Sequence, residues 1–165
     1  MENMRDWDRK ITALQGYYVM RQFLKAFGTL THSDDILALY ARTELLENGI
    51  TADSVVSHQW AWCMNEALEN RINYFKLYPD GNIPVYQKVE HFPEVIQDPN
   101  QIITSLQAFV ATQKLVDIYY FDTETSADLG GLGGYMTIFE SDGGTADPAM
   151  WGDWLEAIEV ILKKI

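Results

Sequence analysis

Apolar residues recur at helical spacing in two separate stretches of the chain. Val56, Trp60, Cys63, Met64, Ala67 and Leu68 share one face of a 3.6-residue period. Met150, Trp154, Ala157, Ile158, Ile161 and Leu162 share another, and the two sets correspond position by position when the tryptophans are aligned. The match extends upstream. Ser33-Asp34-Asp35-Ile36-Leu37-Ala38-Leu39 corresponds to Ser126-Ala127-Asp128-Leu129-Gly130-Gly131-Leu132. Glu47-Asn48-Gly49-Ile50-Thr51-Ala52-Asp53 corresponds to the stretch from Glu140 to Asp147 with one insertion, and Leu14-Gln15 to Leu106-Gln107 after a one-residue shift. A whole helix face kept apolar with few identities predicts an internal duplication.

Each copy is expected to hold three helices, giving a mainly α fold of two pseudo-equivalent three-helix units. The first helix is predicted over 11–30 and over 99–121, with Asp98-Pro99 as the cap and first residue of the latter. The second follows Ser33 or Ser126, and the third follows Asp53 or Asp147, where Pro148 repeats the cap-plus-proline signal. Asn48-Gly49 and Asp142-Gly143 tolerate the positive φ of the turns between them. The predicted organisation is one compact domain over 1–165, with units at 11–70 and 99–165. The connector over 71–98 should carry a short β-hairpin around Pro79-Asp80-Gly81-Asn82, its second strand confined to an edge by Pro84.

Composition narrows the class. Of 165 residues 47% are apolar, enough for a real core. No apolar run approaches the roughly 20 residues that span a bilayer, so no membrane association is expected. The charged start, Met1-Glu2-Asn3-Met4-Arg5-Asp6-Trp7-Asp8, lacks the apolar segment of a secretory signal. The single cysteine suits a reducing compartment, and the cytoplasm is the expected location.

Charge changes the picture more. Acidic residues number 24 against 12 Lys and Arg. Between Lys114 and Lys163 there is no Lys, Arg or His, while Asp117, Asp122, Glu124, Asp128, Glu140, Asp142, Asp147, Asp153, Glu156 and Glu159 all fall there. Such a field repels phosphate backbones, which argues against nucleic acid, and attracts cationic partners. A solubilising face is the plain alternative.

Catalytic and metal patterns are sparse. His32, His58 and His91 form no metal-ligand spacing. Cys63 lies on the apolar stripe where the other copy has Ala157, as a core residue would. Asp122, Glu124, Ser126 and Asp128 alternate like calcium-loop ligands, but Ala127 and Gly133 occupy the places of the required Gly and Glu. The glycine-rich run from Leu129 to Gly134 has no following Lys-Ser/Thr, so it fits close packing or a loosened helix better than a phosphate cradle. No cofactor and no metal are expected.

The copies act as an internal control. Asp35 with Asp128, Glu47 with Glu140 and Asp53 with Asp147 are shared, and fall at helix starts or turns. Asp117, Asp122 and Glu124 instead face Lys25, Thr29 and Thr31 in the alignment, Asp153, Glu156 and Glu159 face Gln59, Trp62 and Asn65, and Asp142 has no acidic counterpart. The acids expected to meet a partner are Asp122, Glu124, Asp142, Asp153, Glu156 and Glu159.

The segment from Ser126 to Leu132, continued by Asp142-Gly143-Gly144-Thr145-Ala146-Asp147-Pro148-Ala149-Met150-Trp151-Gly152-Asp153-Trp154-Leu155-Glu156-Ala157, resembles small helical bacterial immunity proteins of polymorphic and contact-dependent toxin systems. It covers about the last 60 residues and, through the repeat, more weakly the first 70. The resemblance implies a small cytoplasmic non-enzymatic inhibitor that covers a working surface of a basic toxin, a nuclease being one option. The alternatives are a regulatory or adaptor protein holding a peptide or helix between the copies, and a carboxylate-dependent enzyme.

Overall fold

A computed structural model describes residues 7–47, 51–69, 98–122, 126–138 and 145–163. Its elements run β1 (Lys10–Thr12), α1 (Ala13–Leu30), α2 (Asp34–Arg42), α3 (Ser54–Leu68), β2 (Ile102–Thr104), α4 (Ser105–Asp122), α5 (Ala127–Tyr135) and α6 (Pro148–Lys163). The class is mainly α, as the periodicity predicts. The hairpin expected around Pro79-Asp80-Gly81-Asn82 and the turns at Asn48-Gly49 and Asp142-Gly143 lie outside the described residues.

The halves repeat one set of local devices. Thr12 accepts from Gln15 N while the Gln15 side chain accepts from Thr12 N, and Thr104 with Gln107 does the same. This reciprocal cap satisfies two backbone donors that a helix start would leave open. Ser33 and Ser126 cap the second helices through Ile36 N and Leu129 N. Asp53 and Asp147 cap the third through Val55 N and Ala149 N. Between second and third helices, the bridges Leu45–Thr51 and Ile138–Thr145 also correspond.

The first helices start later than the apolar spacing predicts. Ile11 and Thr12 belong to β1, and the segment opened by Asp98-Pro99 is a turn followed by β2, so α4 begins at Ser105 rather than Pro99. Asp98 makes that turn by accepting from Asn100 N and Gln101 N, and Pro99 O and Gln101 O accept from Leu14 N and Ala13 N. The reason is local: β-branched Ile11-Thr12 and Ile102-Ile103-Thr104 favour extended backbone, and the reciprocal Thr–Gln caps fix where helix begins.

The strands pair antiparallel with Ile11 opposite Ile103. Both are buried. Nearby, Gly16 lets α1 approach the second half: a Cβ there would lie 2.8 Å from Ile103 Cδ1 and 3.4 Å from the Cβ of its counterpart Ala108.

Expected as two three-helix units, the halves are interleaved. The closest helix pairings are α3 with α4 and α1 with α6, so each third helix packs mainly on the first helix of the other half. Within a half, α1 packs on α2 and α4 on α5. Trp60 and Trp154 sit on α3 and α6, and both are buried. Each meets an aromatic ring of its own half edge-on, Tyr17 at 5.4 Å and Phe109 at 5.2 Å. Trp154 also contacts Phe23 across the halves and donates from Nε1 to Ser105 Oγ at 3.1 Å. One hydrophobic cluster runs through both halves.

Candidate partner-binding groove between α1 and α6

Helix α6 places its acids by elimination. Met150, Trp154, Ala157 and Ile158 are buried, which turns Asp153, Glu156 and Glu159 to the remaining face, three residues apart and adjacent along the helix. Asp153 is partly buried and Glu156 exposed. Both line a pocket of about 240 Å³ whose other walls include Ala26, Phe27 and Leu30 of α1 with Ala157 and Val160 of α6. Leu30 is 72% exposed at its mouth. Burial, then repulsion from Glu156 and Asp147, pushes the Asp153 carboxyl above its ordinary range. These acids therefore concentrate negative charge at an apolar hollow.

The other predicted acids do not all join them. Glu159 accepts from Arg9 at 2.5 Å, and that hydrogen bond and charge hold its carboxyl below the usual range. It is committed inside the chain. Asp122 closes α4, while Glu124 and Asp142 lie outside the described residues. Asp117, counted among the acids of one copy, is not a surface charge: burial drives its carboxyl up to about 6 despite the opposing pull of Lys114. A Cβ on Gly133 would collide with this carboxylate and one on Gly130 would crowd the Tyr120 ring, so these two glycines of α5 serve close packing on α4, while Gly131 and Gly134 make no such approach.

Sequence reasoning missed the other end of the same groove. A pocket of about 460 Å³ opens where α1, α2 and α6 meet, with Tyr18, Arg21, Gln22, Lys25, Tyr40 and Ile161 among its walls. Gln22 borders both pockets. Arg21 donates from Nε to Thr43 Oγ1 at 3.0 Å and its guanidinium lies 4.6 Å from the Tyr40 ring centroid. The available signal was two cations four residues apart beside Tyr18 in an otherwise acidic chain.

Cys63 is fully buried and free, and burial raises its thiol pKa far above the ordinary value, which keeps it protonated. His32 is exposed, His58 is partly buried on α3, and His91 lies outside the described residues. Among the described residues no group of His, Cys, Asp and Glu could hold a metal ion, and no helix is long and apolar enough to cross a membrane. No family model, no curated protein and no solved structure matches this chain.

Proposed function

We propose that the protein is a binding protein of the immunity type, which neutralises a basic protein by docking it against the acidic end of the α1/α6 groove. The observation that carries this reading is the pairing of Asp153 and Glu156 over the hollow formed by Ala26, Phe27, Leu30 and Val160. A lysine or arginine side chain has that same composition, an apolar stem with a cationic head. Burial raises the Asp153 carboxyl most and repulsion from Glu156 and Asp147 adds to it; an arriving cation would offset that repulsion. Opposite charge at the rim also speeds encounter, an effect weakened by salt.

The regulatory alternative, a peptide or helix held between the copies, is supported by the position of both pockets between α1 of the first half and α6 of the second. The two readings share the groove and differ in the occupant.

A capped tri-arginine peptide tests the acidic end. The parent should bind it, and the double variant Asp153→Gln, Glu156→Trp, which takes the residues of the other half, should bind at least tenfold more weakly. Unchanged affinity in a folded double variant would overturn the acidic-groove reading. Coexpression with a toxic basic domain encoded beside the gene distinguishes the inhibitor from the adaptor: protection by the parent and not by the variant supports the inhibitor, and protection by neither supports the adaptor.

A further inference from the structure

We infer that the pocket at the basic end of the groove is a binding site for a planar organic anion, a small ring-bearing carboxylate. In a chain of formal net charge −12, Arg21 and Lys25 border one cavity, and neither has a carboxylate partner among the described residues. The cavity, about 460 Å³, is in the size range of small-molecule sites. Its composition separates the two parts of such a ligand: Tyr18, Tyr40 and Ile161 offer apolar surface for a ring, and Arg21 with Lys25 supplies charge for a carboxylate.

Arg21 is prepared for this task. Its Nε is committed to Thr43 Oγ1 and its guanidinium carbon lies over the Tyr40 ring, which restrains the head group. The two Nη groups remain as donors, and a guanidinium offers a carboxylate paired hydrogen bonds that an ammonium cannot. Tyr17 donates to the backbone oxygen of the same Thr43 at 2.5 Å, so the residue that anchors Arg21 is itself anchored in the core.

The second half shows that the fold does not require these side chains. Counting from the Thr12–Thr104 and Gln15–Gln107 caps, Arg21 corresponds to Gln113, Lys25 to Asp117 and Tyr18 to Val110. Gln113 is buried and donates to Gly133 O and Thr137 Oγ1. The same helical position is thus filled by an inward amide in one half and by a cation at a cavity in the other. A structural role explains Gln113. Arg21 spends its Nε in a comparable way on Thr43 Oγ1, and what is left without a partner among the described residues is its two Nη groups and the Lys25 ammonium.

The test uses the full chain and 2-naphthoate, with inorganic phosphate and 2-naphthamide as probes for charge alone and ring alone. Titration followed by NMR should shift resonances of Tyr18, Tyr40 and Ile161 and give at least tenfold tighter binding of 2-naphthoate than of either control. Arg21→Gln, the other half's residue, should weaken 2-naphthoate binding tenfold or more. Lys25→Asp, at an exposed position, should weaken it severalfold and serves if Arg21→Gln fails to fold. No shift at those residues with millimolar 2-naphthoate, or affinity unchanged in a folded variant, would overturn the inference. Neither variant touches Asp153 or Glu156, so tri-arginine binding should persist, and the two sites fail or stand separately.

Discussion

Between α3 and α4, the Lys114 ammonium lies over the Trp62 ring at 5.9 Å from its centroid, and Trp62, Cys63, Glu66 and Lys114 are all buried. At the corresponding place between α6 and α1, Glu156 stands where Trp62 stands, Val160 replaces Glu66, and Gln22 replaces Lys114. There the helices leave two pockets. The contrast runs along the first helices too: residues 108–116 of α4 are buried throughout, whereas Tyr18, Lys25 and Ala26 of α1 are exposed. The same pair of helices thus makes a closed interface once and an open groove once. A large ring closes the first, and a short charged side chain that prefers water leaves the second open. Both interfaces bury apolar side chains, Phe23 against Trp154 in the second, and the second also leaves room beside Asp153 and Glu156.

The largest expected effect comes from exchanging the two residues that set this difference. Trp62→Glu removes a buried ring and leaves a shorter carboxylate beside Lys114 and one turn from Glu66, and the lost packing should lower stability by about 3–5 kcal/mol. Glu156→Trp enters an existing hollow and should change stability by less than about 1 kcal/mol. Urea unfolding of both variants measures the asymmetry. Equal losses would show that the closed and open interfaces are energetically alike.

Asp117 gives the closed interface a pH dependence of the same sign as the one that Asp153 gives the open groove. Its carboxyl titrates at about 6 in the fold against an ordinary value of 3.8. Between those values the folded state holds more protons than the unfolded state. The contribution to stability therefore falls as pH rises from about 4 to about 6, and remains lowered above that. Asp117→Asn should remove this decline, raising stability by about 1–3 kcal/mol at pH 7.5 and changing little below pH 4. Melting temperatures across that range provide the check. A parent whose stability does not fall through this window would place Asp117 in a wetter setting than its packing against Gly133 implies.

Much of this framework was legible in the chain. Ser33, Ser126, Asp53 and Asp147 cap helices where the turn chemistry placed them, and both tryptophans are buried on the helices assigned by periodicity. The short strands were not found, because apolar Ile11 and Ile103 fit a helical stripe as well as a strand. The decisive signal was Thr-x-x-Gln at 12–15 and 104–107, which marks the helix start. The interleaving was beyond reach, since an apolar stripe says that a face is buried and not what buries it. Asp117 and Glu159 mark the same limit: a surface acid, a buried acid and an acid held by a distant arginine look identical in a sequence until Lys114 and Arg9 have positions.

A smaller effect is expected where α1 ends, next to the open groove. Thr31, His32 and Ser33 close the helix through bonds from their backbone N–H groups to Phe27 O, Thr29 O and Gly28 O, with His32 at a φ of 54°. This left-handed position usually belongs to glycine. His32→Gly should stabilise the fold by about 0.5–1 kcal/mol. Affinity for tri-arginine should stay unchanged, because the cap sits beyond Leu30. A change in affinity without a change in stability would tie the cap to the groove, and would make the open interface less independent of its frame than the comparison holds.

The smallest effect on folding belongs to Arg9, at the acidic end of the open groove. Its pair with Glu159 joins the segment before β1 to the exposed face of α6. Exposed pairs of this kind contribute little, since water and salt screen them and both side chains lose freedom on pairing. Arg9→Gln should leave the melting temperature unchanged within error at neutral pH. The Glu159 carboxyl, now held below its ordinary range by Arg9, should titrate higher once the arginine is gone. With a depressed folded value, whatever stability the pair does contribute is present at neutral pH and fades as acid protonates the carboxylate. Removing Arg9 also frees a negative charge three residues from Glu156 on the same face. If that face steers a basic partner, association should become faster at low salt, and the gain should vanish at high salt, while dissociation changes little. Stopped-flow measurement of tri-arginine binding by parent and variant over a salt series reads both rates. Faster association confined to low salt would extend the recognition surface along α6 from Asp153 to Glu159. Identical rates at every salt concentration would restrict it to the hollow at Asp153 and Glu156.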